Sequence, residues 1–221
     1  DLMAQSISGP FFANSVVWFQ GSGPGQNTLQ RHVVTKGGTD GRPHYLDFAD
    51  LNGDGRGDIL LGDSGAGTFT WWDRGASLDA PWTKHLIAQE KGATNVKAAD
   101  VNRDGTPDVV ATCGHGKGVF CFEGPLWKKH AIDPGLSTPH PLAVGDFDAD
   151  GQLDLLVGSP PHHAFWIKGP LAAGSALLPV TLAAGTGELG VSVTALDVDG
   201  TPGDEALVGD PDATGGDDEL E

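Results

Sequence analysis

Apolar residues along this chain come in short bursts, and nearly every burst is closed by glycine, proline, aspartate or asparagine. Some bursts alternate with polar residues. Tyr45-Leu46-Asp47-Phe48, Val96-Lys97-Ala98-Ala99, Leu142-Ala143-Val144 and Val191-Ser192-Val193-Thr194-Ala195 have this character, which predicts strands. After a polar loop, each is followed by a continuous apolar run: Ile59-Leu60-Leu61-Gly62, Val109-Val110-Ala111, Leu155-Leu156-Val157-Gly158 and Ala206-Leu207-Val208-Gly209. These runs are too short for helices and also predict strands. An aromatic segment comes next, as Thr68-Phe69-Thr70-Trp71-Trp72, Val119-Phe120-Cys121-Phe122 and Ala164-Phe165-Trp166-Ile167. A fourth segment closes the unit, at Trp82–Ile87, Trp127–Ile132 and Leu178–Leu182. No stretch carries a helical period.

The order of these segments repeats. The polar loops begin at Asp50, Asp100, Asp146 and Asp197, at spacings of 50, 46 and 51 residues. Four strands in each such unit predict an all-β fold, a β-propeller of four-stranded antiparallel blades. The ends of the chain complement one another. Residues 12–36 carry segments of the third and fourth kind, around Val16-Val17-Trp18-Phe19 and Arg31-His32-Val33. Residues 187–209 carry only the first two kinds. The expectation is one domain over 1–209, with blades at about 41–90, 91–136, 137–186, and 187–209 joined to 12–36. Such a shared blade closes a four-bladed ring and removes open sheet edges. The alternatives are part of a larger propeller, or an array that closes by dimerising. Residues 210–221 form an acidic tail without apolar periodicity.

The polar loops carry the chemistry. They read Asp50-Leu-Asn52-Gly-Asp54-Gly55-Arg56-Gly-Asp58, Asp100-Val-Asn102-Arg-Asp104-Gly105-Thr106-Pro-Asp108 and Asp146-Phe-Asp148-Ala-Asp150-Gly151-Gln152-Leu-Asp154. Oxygen ligands at positions 1, 3, 5 and 9, with glycine at 6, are what a hard cation of calcium size requires. The competing reading, plain β-turns, explains one such loop but not several in register with an acid at position 9. An EF-hand needs a bidentate glutamate at position 12 and a following helix. Position 12 here is Leu61, Ala111 or Val157, inside a strand segment, so that reading is excluded. The fourth loop is degenerate. Thr201 and Pro202 replace the position-5 acid and the glycine, leaving Asp197, Asp199 and Glu205, with Asp204 beside them, as ligands.

Composition narrows the partners. A net charge of −17 argues against nucleic acid and anionic membranes. No apolar run approaches the roughly 18 residues of a membrane span. Cys113 and Cys121 flank a glycine-rich turn, and a cross-strand disulfide is the expectation, with two buried thiols as the alternative.

The loops, the apolar strand after each and the aromatic third strand resemble the FG-GAP/VCBS repeats of integrin-α-like β-propellers over most of residues 12–209. The resemblance implies a secreted, cell-surface or periplasmic protein. It also implies calcium bound on one face by Asp50, Asn52, Asp54 and Asp58, by Asp100, Asn102, Asp104 and Asp108, and by Asp146, Asp148, Asp150 and Asp154. Carbonyls of Arg56, Thr106 and Gln152 fill position 7 in that family pattern. Three calcium sites are implied, and a fourth at Asp197, Asp199 and Glu205 stays open. In this reading the ions hold the scaffold and do no chemistry.

Function then falls to the opposite face. His44 and His140 each precede their position-1 aspartate by six residues, and His115, His162 and His163 lie between second and third strands. Imidazoles gathered at a channel mouth bind a transition metal, transfer protons or contact sugar hydroxyls; otherwise they are solvated turn residues. His32, His85 and His130 recur in fourth strands as packing residues. Three functions remain: a carbohydrate- or protein-binding module; a polysaccharide lyase or sugar dehydratase using His44, His140, His115 and His163; and a structural or adhesive repeat domain. A closed ring implies a monomer, an open one a dimer.

Overall fold

A computed structural model describes residues 2–5, 15–23, 28–35, 42–77, 80–159, 163–171, 180–184 and 192–209. The described residues form strands and turns without a helix. Strands β1 (Leu2–Gln5), β2 (Val16–Gly21) and β3 (Leu29–Val33) make a three-stranded sheet. Three four-stranded sheets follow. The first holds β4 (Pro43–Ala49), β5 (Asp58–Asp63), β6 (Thr68–Asp73) and β7 (Thr83–Gln89). The second holds β8 (Asn95–Ala99), β9 (Asp108–Thr112), β10 (Lys117–Glu123) and β11 (Lys128–Ser137). The third holds β12 (Leu142–Gly145), β13 (Asp154–Ser159), β14 (His163–Ile167) and β15 (Val180–Ala184). A hairpin of β16 (Ser192–Leu196) and β17 (Glu205–Gly209) ends the described chain. Each four-stranded sheet is an antiparallel meander in chain order, as the four-segment repeat predicts.

The sheets stack face to face because their second strands are apolar on both sides. Every residue of β5, β9 and β13 is buried. Alternation sends successive side chains to opposite faces. In β5, Ile59 and Leu61 pack with Val16, Trp18 and Trp72, whereas Leu60 turns the other way to join Phe69, Val96, Val109 and Phe122. In β9, Val109 and Ala111 belong to that second core, while Val110 faces Leu142, Leu155, Val157 and Ile167. β5 and β9 are thus each shared by two cores. First strands β4, β8, β12 and β16 lie beside one another in chain order, which is how propeller blades are placed around an axis. Close approach demands glycine at one junction: a Cβ on Gly62 would lie 2.0 Å from the Thr94 carbonyl oxygen of the next sheet.

Two expectations are corrected. The first is the blade shared by 187–209 and 12–36. β17 pairs with β16, whereas β2 pairs with β3 on one side and with β1 on the other. Leu2–Gln5 therefore takes the edge of β2 that β17 would need. Among the described residues the two terminal pieces are separate sheets, and no ladder joins them into a common blade.

The second is the Cys113–Cys121 disulfide. Both thiols are free and buried. Cys121 lies opposite Val110 in the ladder, and Cys113 follows Thr112, the partner of Val119. The cysteines fall on opposite faces of the sheet, Cys113 in the core with Phe69 and Cys121 in the core with Leu155. Burial pushes both thiols up to about 12, so they behave as small apolar residues. The 210–221 tail and His162 lie outside the described residues.

Candidate functional site

Ladder registers define two ends in every sheet. Ala49 pairs with Asp58, Ala99 with Asp108 and Gly145 with Asp154, so the acidic loops join the first two strands at one end. Pro43 pairs with Asp63, Asn95 with Thr112 and Leu142 with Val157, which sets the opposite end.

At the acidic end one hydrogen-bond net recurs. The position-1 aspartate accepts the position-5 and position-6 N–H groups: Asp54 and Gly55 donate to Asp50 at 3.1 and 2.8 Å, and Asp104 and Gly105 to Asp100 at 3.0 and 2.9 Å. In the third loop Asp150 and Gly151 donate to Asp146 at 3.1 and 2.8 Å. Position 3 accepts from position 5, and position 5 from position 7; the latter bonds run from Arg56 to Asp54, from Thr106 to Asp104 and from Gln152 to Asp150. The position-9 acid turns inward, where Asp58, Asp108 and Asp154 are fully buried. Each accepts the position-2 N–H, from Leu51 at 3.0 Å, Val101 at 3.1 Å and Phe147 at 3.1 Å. Asp108 and Asp154 also accept from Gly124 and Gly169, tying the loop to the turn after the third strand.

Backbone shape recurs as well. Position 6 is left-handed at Gly55, Gly105 and Gly151, where glycine carries no penalty. Position 4 is left-handed too, and there Arg103 (φ 63°) and Ala149 (φ 58°) adopt it with a Cβ. Such a conformation costs on the order of 1–2 kcal/mol in a non-glycine residue. The fourth loop keeps most of the pattern. Gly200 is left-handed, Thr201 donates to Asp199 at 2.8 Å, and Glu205 accepts from Val198 at 2.6 Å in the role of the position-9 acid. Asp204 does something else. Its N–H donates to the Asp146 carbonyl at 2.8 Å, and its carboxylate accepts the Asp146 N–H at 2.9 Å, joining the fourth loop to the third.

The donor set fits calcium. All the side-chain ligands are oxygens, and those of Asp146, Asp148 and Asp154 lie within 4.8 Å of one another, as do those of Asp197, Asp199 and Glu205. Positive charge already gathers on these oxygens: Arg56 pairs with Asp54, and Lys168 with Asp148 and Asp150. Burial holds the carboxyls of Asp58, Asp108 and Asp154 above the ordinary carboxylate value, with neighbouring loop aspartates adding to the rise. A divalent ion relieves that crowding.

At the other end, three of the four histidines proposed as catalytic come together. His44 is the second residue of β4, His115 sits in the turn between β9 and β10, and His140 precedes β12, so each comes from a different sheet. Ring centroids are 4.8 Å apart for His44 and His115, 5.1 Å for His44 and His140, and 5.0 Å for His115 and His140. The backbone fixes two of them. His140 donates its N–H to Gly158 at 2.8 Å and accepts the Thr112 hydroxyl at 3.1 Å, and His115 donates to Gly92 at 3.2 Å. Burial, then the charges of its two neighbours, lowers His44 to about 4; burial and His115 lower His140. Both are neutral at physiological pH. His163 is not in this group: it pairs within the 142–184 sheet and stacks on Phe165.

The remaining described histidines pack locally, as their fourth-strand position implies. His32 stacks on Trp18 and His85 on Trp71, with centroids 4.1 Å apart in each case, and His130 bonds Glu123 at 2.7 Å. Sequence reasoning missed two contributors. Tyr45, next to His44, lies 6.5 Å from the His140 ring. Gly114 leaves room for His140, since a Cβ there would sit 2.5 Å from its Nδ1. Neither follows any repeat.

This architecture defines an all-β repeat protein whose blades are closed at one end by acidic loops. Residues 50–111 match the FG-GAP-like repeat and residues 142–168 the FG-GAP repeat. Two stretches of the chain, one spanning the first two acidic loops and one around the third, thus carry FG-GAP-type repeats, which are propeller-forming. Comparison with curated proteins gives no match. Among the described residues no helix is long and apolar enough to cross a membrane.

Proposed function

We propose that the chain is a calcium-stabilised propeller scaffold that acts outside the cell as a binding module for a carbohydrate or protein partner. The carrying observation is the hydrogen-bond net described above, which presents the same oxygen set in three successive loops. Asp50, Asn52, Asp54 and Asp58 would hold one ion, with the corresponding residues of the second and third loops holding two more. Carbonyls of Arg56, Thr106 and Gln152 complete these sites, and Asp197, Asp199 and Glu205 offer a fourth. Bound calcium neutralises the loop carboxylates and ties the first two strands of each sheet. Because the unfolded chain has no such site, that binding adds to folding stability.

With the loops committed to the scaffold, a partner is taken at the opposite end. A cavity of about 180 Å³ opens there between the first strands, lined by Tyr45, Asn95, Lys97, Pro141 and Ser192 among others. Its mixed aromatic and polar wall suits sugar hydroxyls or a peptide backbone. The test has two arms. Melting in calcium and in EDTA reads the scaffold; retention on a glycan array and on immobilised extracellular-matrix proteins reads the module. A melt unchanged by EDTA, with no calcium retained, rejects the scaffold. A calcium-dependent melt with no retention on any surface rejects the binding module alone.

A further inference from the structure

The chain has eight histidines, and seven are described. Four of the seven partner a side chain of their own sheet: Trp18, Trp71, Phe165 and Glu123 respectively receive His32, His85, His163 and His130. The stacked ones lie nearly flat on their ring, at interplanar angles of 10–16°. His44 also has its own-sheet neighbour Tyr45, at 5.0 Å between ring centroids, but His44, His115 and His140 additionally meet one another across sheets. They come from three sheets, and their rings meet at 90°, 55° and 60°. Each brings a ring nitrogen to within 4.8 Å of the other two.

We propose that His44, His115 and His140 form a binding site for one divalent transition-metal ion of the zinc class, at the end of the sheets opposite the acidic loops. Imidazole nitrogen selects zinc, nickel and copper, whereas carboxylate and carbonyl oxygen select calcium and magnesium. The two ends of the sheets therefore sort metals by donor type. Three imidazoles leave a fourth tetrahedral position for water or for an atom of a bound partner. A zinc–nitrogen distance near 2.0–2.1 Å places ligand nitrogens about 3.3 Å apart, so small ring rotations close the site from its present spacing. The frame is prepared for those rings. His140 and His115 are held by backbone bonds to Gly158 and Gly92, and the bare Gly114 leaves the His140 ring its place. The chain's charge of −17 adds a general attraction for cations.

The whole chain, with calcium kept saturating so that the carboxylates hold their own ion, is titrated with zinc by calorimetry and with cobalt(II) by visible absorption. One equivalent of zinc and a tetrahedral cobalt spectrum are expected. His115 is exposed, so His115→Ala should leave the melt in calcium unchanged while weakening zinc binding roughly tenfold or more. The His44→Gln/His140→Gln double variant should abolish binding, and His163→Ala should not alter it. No zinc uptake at micromolar metal overturns the proposal. Uptake that His115→Ala and the double variant both leave intact overturns it as well, because the ion then sits on other residues.

Discussion

The two ends of these sheets are built by opposite rules. At the acidic end every loop is assembled from nine consecutive residues, and its hydrogen bonds stay almost wholly within its own sheet. At the histidine end nothing local makes the site; one ring comes from each of three sheets, and the cluster exists only where those sheets meet. A repeated unit can therefore supply stability over and over. A unique site arises at a junction, from positions in which successive units differ.

The largest expected effect separates the ends by metal. Removing calcium with EDTA should lower the melting temperature sharply, since a site saturated at a hundredfold excess over its Kd contributes about 2.7 kcal/mol. Removing transition metal while calcium is kept should move it less, because one site is emptied rather than three. Scanning calorimetry under both conditions makes the comparison, and equal shifts would erase the distinction.

Next in size is the buried anchor of an acidic loop. Asp108→Ala strands the N–H groups of Val101 and Gly124 and should cost about 2–3 kcal/mol even in EDTA, measured by urea unfolding. Asp54→Ala, at an exposed position 5, should cost little in EDTA and show its effect only in calcium.

The ends also respond oppositely to pH. His44 is held down to about 4 in the folded protein, while the unfolded chain takes its proton near 6.5. Stability should therefore fall as pH drops from 6.5 toward 4, and His44→Gln should flatten that slope. Asp58, Asp108 and Asp154 run the other way. Their raised folded values give metal-free protein stability at low pH that is lost as pH rises through them. Denaturant midpoints across pH in EDTA, for wild type and His44→Gln, separate the two contributions.

The smallest effect lies at position 4 of the loops. Ala149→Gly should stabilise the protein by about 0.5 kcal/mol, the relief of left-handed strain slightly exceeding the entropy glycine adds to the unfolded chain. A destabilisation would mean that the Ala149 methyl, which packs near Gly203 of the next loop, matters more than its backbone.

The placement of the acidic loops between first and second strands was legible in the sequence, because most of their contacts lie within nine residues. What stayed hidden was conformational: nothing about Arg103 or Ala149 announces a left-handed residue, since the usual marker, glycine, appears only at Gly53 and Gly200. The histidine end was half legible. His44 and His140 share a spacing to their loops, and that spacing does place them at one end. His163 occupies the same nominal connection as His115, but it is a paired strand residue, whereas His115 sits in a turn. Turn length decides between those outcomes, and composition does not reveal it. The cysteines failed for a related reason: separation along the chain does not say which face of a sheet a residue takes until the register is known. At the chain's start, Leu2-Met3-Ala4-Gln5 has no alternating pattern, so its claim on the edge of β2 had no signature.

Asp47 and Asp204 are small details with a mechanical consequence. Asp47 crosses from β4 to accept the Ala98 N–H at 2.9 Å beside its ion pair with Lys97, and Asp204 exchanges two bonds with Asp146. Both are cross-links between neighbouring sheets, beside the bonds from Thr112 to His140 and from Ser159 to Ser137, across seams otherwise packed by apolar side chains. Tension pulling one sheet past the next would meet these short, directional bonds first, and they rupture after a fraction of an ångström; the apolar layers behind them yield gradually. A stiff seam backed by a compliant one passes a pull from sheet to sheet without unravelling any single sheet.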